Sequence, residues 1–249
     1  MAHPARDPLQ GALAAAQARD RARSHEDASS RPALWEGGTL VICPTTVLQQ
    51  WVREIQSKVD PKEGLSLYVY HGPQRVREAS VLASYEVVLT TYQILAMEAP
   101  KGVVADDSGT HNETAPGTSG ARGAGAAAGG GNKGTGRRGG ASGGPLFEVS
   151  WHRVVLDEAQ SIKNPKTRVF HASCSLHADN RWCLTGTPIQ NTLDDLLSYF
   201  RFLRFEPYCQ PEQFRRLIKE PITTSPEVGF KRVQAILKGV LLRRTKTTM

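Results

Sequence analysis

The 249-residue sequence predicts an α/β fold built on a parallel sheet. Two observations carry that reading: continuous apolar runs of strand length, and stretches of helical apolar spacing that alternate with them along the chain. A run without polar alternation suits a strand covered on both faces, and parallel strands joined by helical crossovers are covered in that way.

The first run is Thr39-Leu40-Val41-Ile42-Cys43, which follows Gly37 and Gly38 and is closed by Pro44. Residues 45–58 then set Val47, Leu48, Trp51, Val52 and Ile55 at helical spacing, with Thr45 or Thr46 available to cap the helix start. The alternation repeats. Residues 65–70 read as a strand, 74–83 as a helix, and 87–90 as a strand with Thr91 and Tyr92 just past its end. Farther on, Val154-Val155-Leu156 and Trp182-Cys183-Leu184 are two more strands, separated by a helix at about 166–176. From residue 193 only helical patterns follow, over 193–205 and 211–239, so the sheet is expected to end near Thr185.

Residues 1–36 are rich in Ala, Arg, Asp and Ser and lack an apolar stripe, which predicts a flexible leader ahead of one domain over 37–249. Fifteen of the 23 glycines fall between Gly102 and Gly144, a stretch too poor in apolar residues to offset its ordering entropy. It lies between two strands of one layer, so it predicts a disordered Gly-rich insertion over 102–145 inside a single domain.

The formal charge of +7 arises wholly after residue 200, where eleven Lys or Arg face four Glu. Two readings fit, a solvated helix face and a segment that follows a polyanion such as nucleic acid. Cys43, Cys174, Cys183 and Cys209 form no C-x-x-C pair and have no neighbouring histidine at metal-ligand spacing. They predict small buried side chains in a reducing compartment. No apolar run approaches the roughly twenty residues that span a bilayer, and the start has no hydrophobic signal core. The expectation is a soluble intracellular protein.

Two strand-end clusters carry the chemistry. Asp157-Glu158-Ala159-Gln160 follows the run 154–156 directly, and Leu184-Thr185-Gly186-Thr187-Pro188-Ile189-Gln190-Asn191 follows the next strand. Loops at the carboxyl ends of parallel strands gather ligands. Adjacent carboxylates there can hold a magnesium ion and polarise a water, the two roles phosphoryl transfer needs. Hydroxyl-bearing residues on the neighbouring loop can hydrogen-bond that acidic loop.

These residues resemble the first RecA-like lobe of the Swi/Snf-type DNA translocases of helicase superfamily two. Asp157 to Gln160 is similar to the family's Walker B box and Leu184 to Asn191 to its third motif. Leu40 to Pro44 with Trp51 resembles motif Ia, Val88 to Tyr92 motif Ib, and Leu241 to Lys246 the stretch near the junction with lobe two. The wording Asp-Glu-Ala-Gln-Ser-Ile-Lys-Asn resembles the helicase-like transcription factor subgroup, particularly its plant members.

The resemblance implies ATP and magnesium as cofactors, double-stranded DNA or chromatin as partner and a nuclear location; the lack of a bilayer-length apolar run adds the expectation of no membrane partner. It assigns the magnesium ion to Asp157 and activation of the attacking water to Glu158. Coupling of the nucleotide side to the DNA side would pass through Gln160, which stands where histidine is commoner, and through Thr185, Gly186, Thr187 and Gln190. Pro44, Thr45, Thr46, Thr90, Thr91 and Tyr92 would face the phosphodiester backbone, where hydroxyls and amides grip phosphate without reading bases.

One part of the pattern is missing. No G-x-x-x-x-G-K-[ST] string occurs, and the nearest lookalike, Gly129 to Gly136, has Lys133 before Gly134 rather than after it. In the family that P-loop precedes motif Ia, so the expectation is an incomplete lobe, without its P-loop strand or lobe two, that does not hydrolyse ATP alone. The alternative is a non-catalytic DNA-binding or regulatory fragment that competes with a full-length relative.

Overall fold

The computed structural model describes residues 34–60, 64–102, 143–187 and 193–243. Five strands, β1 (Trp35–Cys43), β2 (Leu67–Val69), β3 (Val87–Thr91), β4 (Val149–Leu156) and β5 (His177–Cys183), pair in the order β2-β3-β1-β4-β5. Every pairing is parallel, so all five carboxyl ends share one edge. In register, Ile42 lies level with Thr90 and Leu156, and Leu156 with Cys183. The ladder runs one step further: the Asp157 N–H donates to the Ile42 carbonyl and the Leu184 N–H to the Leu156 carbonyl, each at 2.8 Å. The two loops that carry the chemistry therefore leave the sheet side by side.

The helices are α1 (Leu48–Lys58), entered through a 3-10 turn at Thr45–Val47, then α2 (Ala79–Ala83), α3 (Tyr92–Glu98), α4 (Arg168–Ser175) and α5 (Asp194–Leu203). After α6 (Pro211–Phe214) a π-helical turn at Arg215–Lys219 leads into α7 (Glu220–Thr224), and α8 (Pro226–Val240) follows. One face of the sheet, through Leu40, Ile42, Val88, Val154 and Leu156, meets Leu82, Leu95, Phe170 and Phe200 in the main core. On the other face Val41, Cys43 and Leu89 lie under Leu48, Trp51, Val52 and Ile55 of α1. Each fully buried apolar side chain adds about 1.5–3 kcal/mol relative to exposure. The aromatic cluster is part of this packing: Phe200 lies 5.3 Å from Phe205 and 6.3 Å from Phe214, and Phe205 stacks on Tyr208 at 5.4 Å.

Several boundaries differ from the sequence expectation, each for a local reason. β4 is eight residues long because His152 and Arg153, which break its apolar run, are carried within the sheet; Arg153 donates to the Thr39 hydroxyl at 3.3 Å. β5 forms an edge of the sheet, and Trp182 is 52% exposed, so coverage on both faces describes β1 and not β5. α2 begins at Ala79 rather than residue 74, because the preceding segment is held outside a helix: it turns at 73–74, Arg75 bonds Glu98 and the Val76 N–H bonds the Tyr68 phenol at 3.1 Å.

β1 begins at Trp35 rather than after the glycine pair. A Cβ on Gly38 would collide with the Glu86 carbonyl, and one on Gly37 with the Val149 and Trp151 side chains, so the pair lets three strands approach. At the end of the expected insertion the Gly144 N–H donates to the Glu98 carbonyl at 2.7 Å and Pro145 opens a 3-10 turn. Residues 103–142 of the insertion, with the lookalike Gly129 to Gly136, and residues 1–33 of the leader lie outside the described residues. None of the four cysteines, all of them among the described residues, is in a disulfide. Among the described residues no group of three or more His, Cys, Asp or Glu could hold a metal, and no helix is long and apolar enough to cross a membrane.

Candidate functional site

β4 ends at Leu156 and the chain turns at once into a 3-10 turn, Ala159–Ile162. The turn is made by Glu158 at φ 50°, a left-handed conformation that side chains larger than glycine rarely adopt and that recurs where function requires it. The Ala159 N–H donates to the Leu184 carbonyl at 2.9 Å, tying the acidic loop to the end of β5.

The Asp157 carboxylate is partly buried and fixed at both oxygens. Its Oδ1 accepts the Glu158 N–H at 3.0 Å and its Oδ2 accepts the Trp51 indole N–H at 2.7 Å. Its backbone carbonyl accepts the Tyr92 phenol at 2.7 Å. Glu158, by contrast, is exposed.

From Glu158 a relay crosses to the second loop. Gln160 Nε2 donates to Glu158 Oε2 at 2.6 Å, and the Thr185 hydroxyl donates to Gln160 Oε1 at 2.9 Å. The Thr187 N–H closes on the Thr185 Oγ1 at 3.2 Å. An amide suits this position because it donates at one end and accepts at the other; the Glu158 carboxylate, an acceptor, takes the NH2 end and the Thr185 hydroxyl, which can do either, donates to the other. Gly186 is exposed with open space where a Cβ would stand, so it does not serve close packing. Gln190 lies outside the described residues.

The residues expected to face DNA divide into two groups. Thr45 and Thr46 are exposed at the end of β1 beside partly buried Pro44, and the Thr45 hydroxyl donates to Gln93 Oε1 at 3.2 Å. Thr90, Thr91 and Tyr92 are buried, and their hydroxyls are used inside the protein. Thr90 donates to the Tyr70 carbonyl at 3.0 Å, Thr91 accepts the Ile94 N–H at 3.4 Å as the cap of α3, and Tyr92 holds Asp157. Burial pushes the Tyr92 phenol well above its ordinary range, with Cys183 and Asp157 adding to the effect, so it stays a donor. Burial, then the Asp157 charge, pushes the Cys43 thiol up to about 12.

Sequence reasoning placed Trp51 at helical apolar spacing and in the motif Ia resemblance but missed its hydrogen bond to Asp157, which became visible only through the strand order. The available signal was an indole on a helix that begins at one strand end, next to an acidic strand end.

A family model described as the SNF2-related domain matches residues 12–249, nearly the whole chain. The chain belongs to the SNF2-related domain family. This SNF2-related chain is 43% identical over 260 residues to the helicase-like transcription factor CHR27 of Arabidopsis thaliana, covering 90% of the chain and 23% of that protein. It is 38% identical over 218 residues to the DNA repair protein RAD5A of the same plant, covering 88% of the chain and 18% of that protein. Among solved structures, the Sulfolobus solfataricus SWI2/SNF2 ATPase core in complex with dsDNA matches with a TM-score of 0.55 at 30% identity, over 89% of this chain and 36% of that one. The parallel sheet with its flanking helices thus matches the RecA-like lobe of an SNF2 ATPase core. The chain spans less than a quarter of the length of these two curated relatives.

Proposed function

We propose that the chain is a partial ATP-binding lobe of a nuclear, ATP-dependent DNA translocase or chromatin remodeller, with double-stranded DNA as its partner. The observation that carries the proposal is the relay Glu158–Gln160–Thr185, which joins the acidic loop of β4 to the hydroxyl loop of β5 on one sheet edge. Such a link has a use where chemistry at one loop must be registered at the other.

The residues present fit a magnesium ion. Magnesium keeps most of its waters and is held by one or two carboxylates together with substrate phosphates, and Asp157 supplies one such carboxylate, already oriented. When bound, the ion would neutralise developing phosphate charge. Exposed Glu158, held by Gln160, would accept a proton from, and orient, a water. The residues do not fit ATP equally well: without a glycine-rich loop and its lysine, nothing in the sequence wraps the phosphates. No hydrolytic step is therefore assigned to these 249 residues alone.

That missing string favours a second reading, a non-catalytic DNA-binding or regulatory fragment. Both readings keep the duplex at Pro44, Thr45 and Thr46 and separate on turnover. Mobility shift with a short DNA duplex tests the shared part: retardation without nucleotide, weakening as salt is raised and weakened further by Thr45→Ala with Thr46→Ala, is expected. Unchanged mobility at low salt contradicts both.

A further inference from the structure

Trp51 reaches from α1 to the acidic end of β4, 106 residues away, and its indole N–H meets Asp157 Oδ2 at 2.7 Å. That is short for an N–H···O bond and typical of one whose acceptor is charged. α1 cannot easily withdraw, because Leu48 is buried against β1 and β3 and Val52 and Ile55 pack on the same cluster. The other carboxylate oxygen is held by the Glu158 N–H, on a different element. Two donors on two elements thus stop the carboxylate from turning, while each oxygen keeps a lone pair.

We infer that Trp51 is a positioning residue for a divalent cation at Asp157, its indole holding the carboxylate in the orientation from which the free lone pairs meet the ion. The inference rests on the reading of Asp157 as the metal-holding group. Ligating carboxylates are commonly steered by an outer hydrogen bond, and loss of such a partner typically weakens metal binding about 10–100-fold. Trp51→Phe keeps an aromatic ring in the cluster of Val41, Cys43, Leu48 and Leu89 while removing the N–H and part of the indole's bulk.

The test is a Mn2+ titration of the 15N-labelled chain, followed by paramagnetic broadening of the Asp157 and Glu158 amide signals and of the Trp51 indole signal, which Trp51→Phe identifies by its disappearance. In the unaltered chain these signals broaden first. In Trp51→Phe the Mn2+ concentration needed to broaden the two amides rises about tenfold or more. Equal concentrations in both chains overturn the role of Trp51 and leave the metal reading of Asp157 standing. No broadening at Asp157 in the unaltered chain sinks that reading and the inference with it. Should Trp51→Phe lose amide dispersion, Asp157→Asn decides with Trp51 intact: the Trp51 indole signal shifts and its Mn2+ broadening disappears, whereas an unmoved signal refutes the contact.

Discussion

Glutamine at position 160 carries no titratable proton, so the relay it makes between Glu158 and Thr185 has the same hydrogen bonds throughout the neutral pH range. A histidine there would change its donor and acceptor pattern near pH 6.5. The strength of the link is measurable as a coupling: Gln160→Leu, Thr185→Val and the pair, compared by urea unfolding, are expected to show an interaction of about 0.5–1.5 kcal/mol. Additive effects would mean that the two side chains do not act together. At the neighbouring strand end, burial keeps Cys43 protonated, with its thiol at about 12, and Cys183 is likewise raised to about 12 and Cys174 to about 11. Since the thiolate is the nucleophile, iodoacetamide at pH 8 is expected to spare all three until denaturant is added, and mass mapping of labelled sites checks it. The acids and the threonines at this edge were legible in the sequence because strand-end motifs announce themselves by position. The indole of Trp51 and the phenol of Tyr92 were not, because periodicity reports which face a side chain takes and not where its one polar atom ends.

At the scale of elements, the sequence revealed strands whose apolar runs were uninterrupted and shortened those that carry polar residues inside the sheet. β1 was legible from Leu40 to Cys43; β4 lost its first five residues to His152 and Arg153, and α2 gained residues it does not have. The last error has its cause in a buried ion pair. Arg75 meets Glu98 at 2.9 Å with both side chains under one-tenth exposed, and Tyr70 donates to the same carboxylate at 2.8 Å. Burial and the Glu98 hydrogen bond raise the Tyr70 phenol, so it remains a donor and Glu98 keeps that partner when Arg75 is lost. Arg75→Met is therefore expected to cost about 3 kcal/mol, at the low end for breaking a buried pair, and urea unfolding measures it. A cost below about 1 kcal/mol would show that the pair does not hold the segment between β2 and α2. Glu98 also receives the chain as it returns from the Gly-rich insertion, through its carbonyl to the Gly144 N–H, so one residue fixes both segments.

For the molecule as a whole, parallel pairing places the acidic loop of β4, the hydroxyl loop of β5 and the exposed threonines after β1 along one edge. Beside them, the 249 residues contain no G-x-x-x-x-G-K-[ST] string for cradling phosphates. Among the described residues after 200 the charged side chains are mostly exposed, which keeps both a solvated face and a polyanion path open to the salt dependence of DNA binding. Under the proposed function, Asp157 and Glu158 are oriented for phosphoryl chemistry while these 249 residues alone do not grip the phosphates. Phosphate release from the purified chain with ATP, magnesium and duplex DNA, beside Glu158→Gln, tests it most directly. The account predicts background release that is the same in both chains; turnover in the unaltered chain that Glu158→Gln abolishes would contradict it.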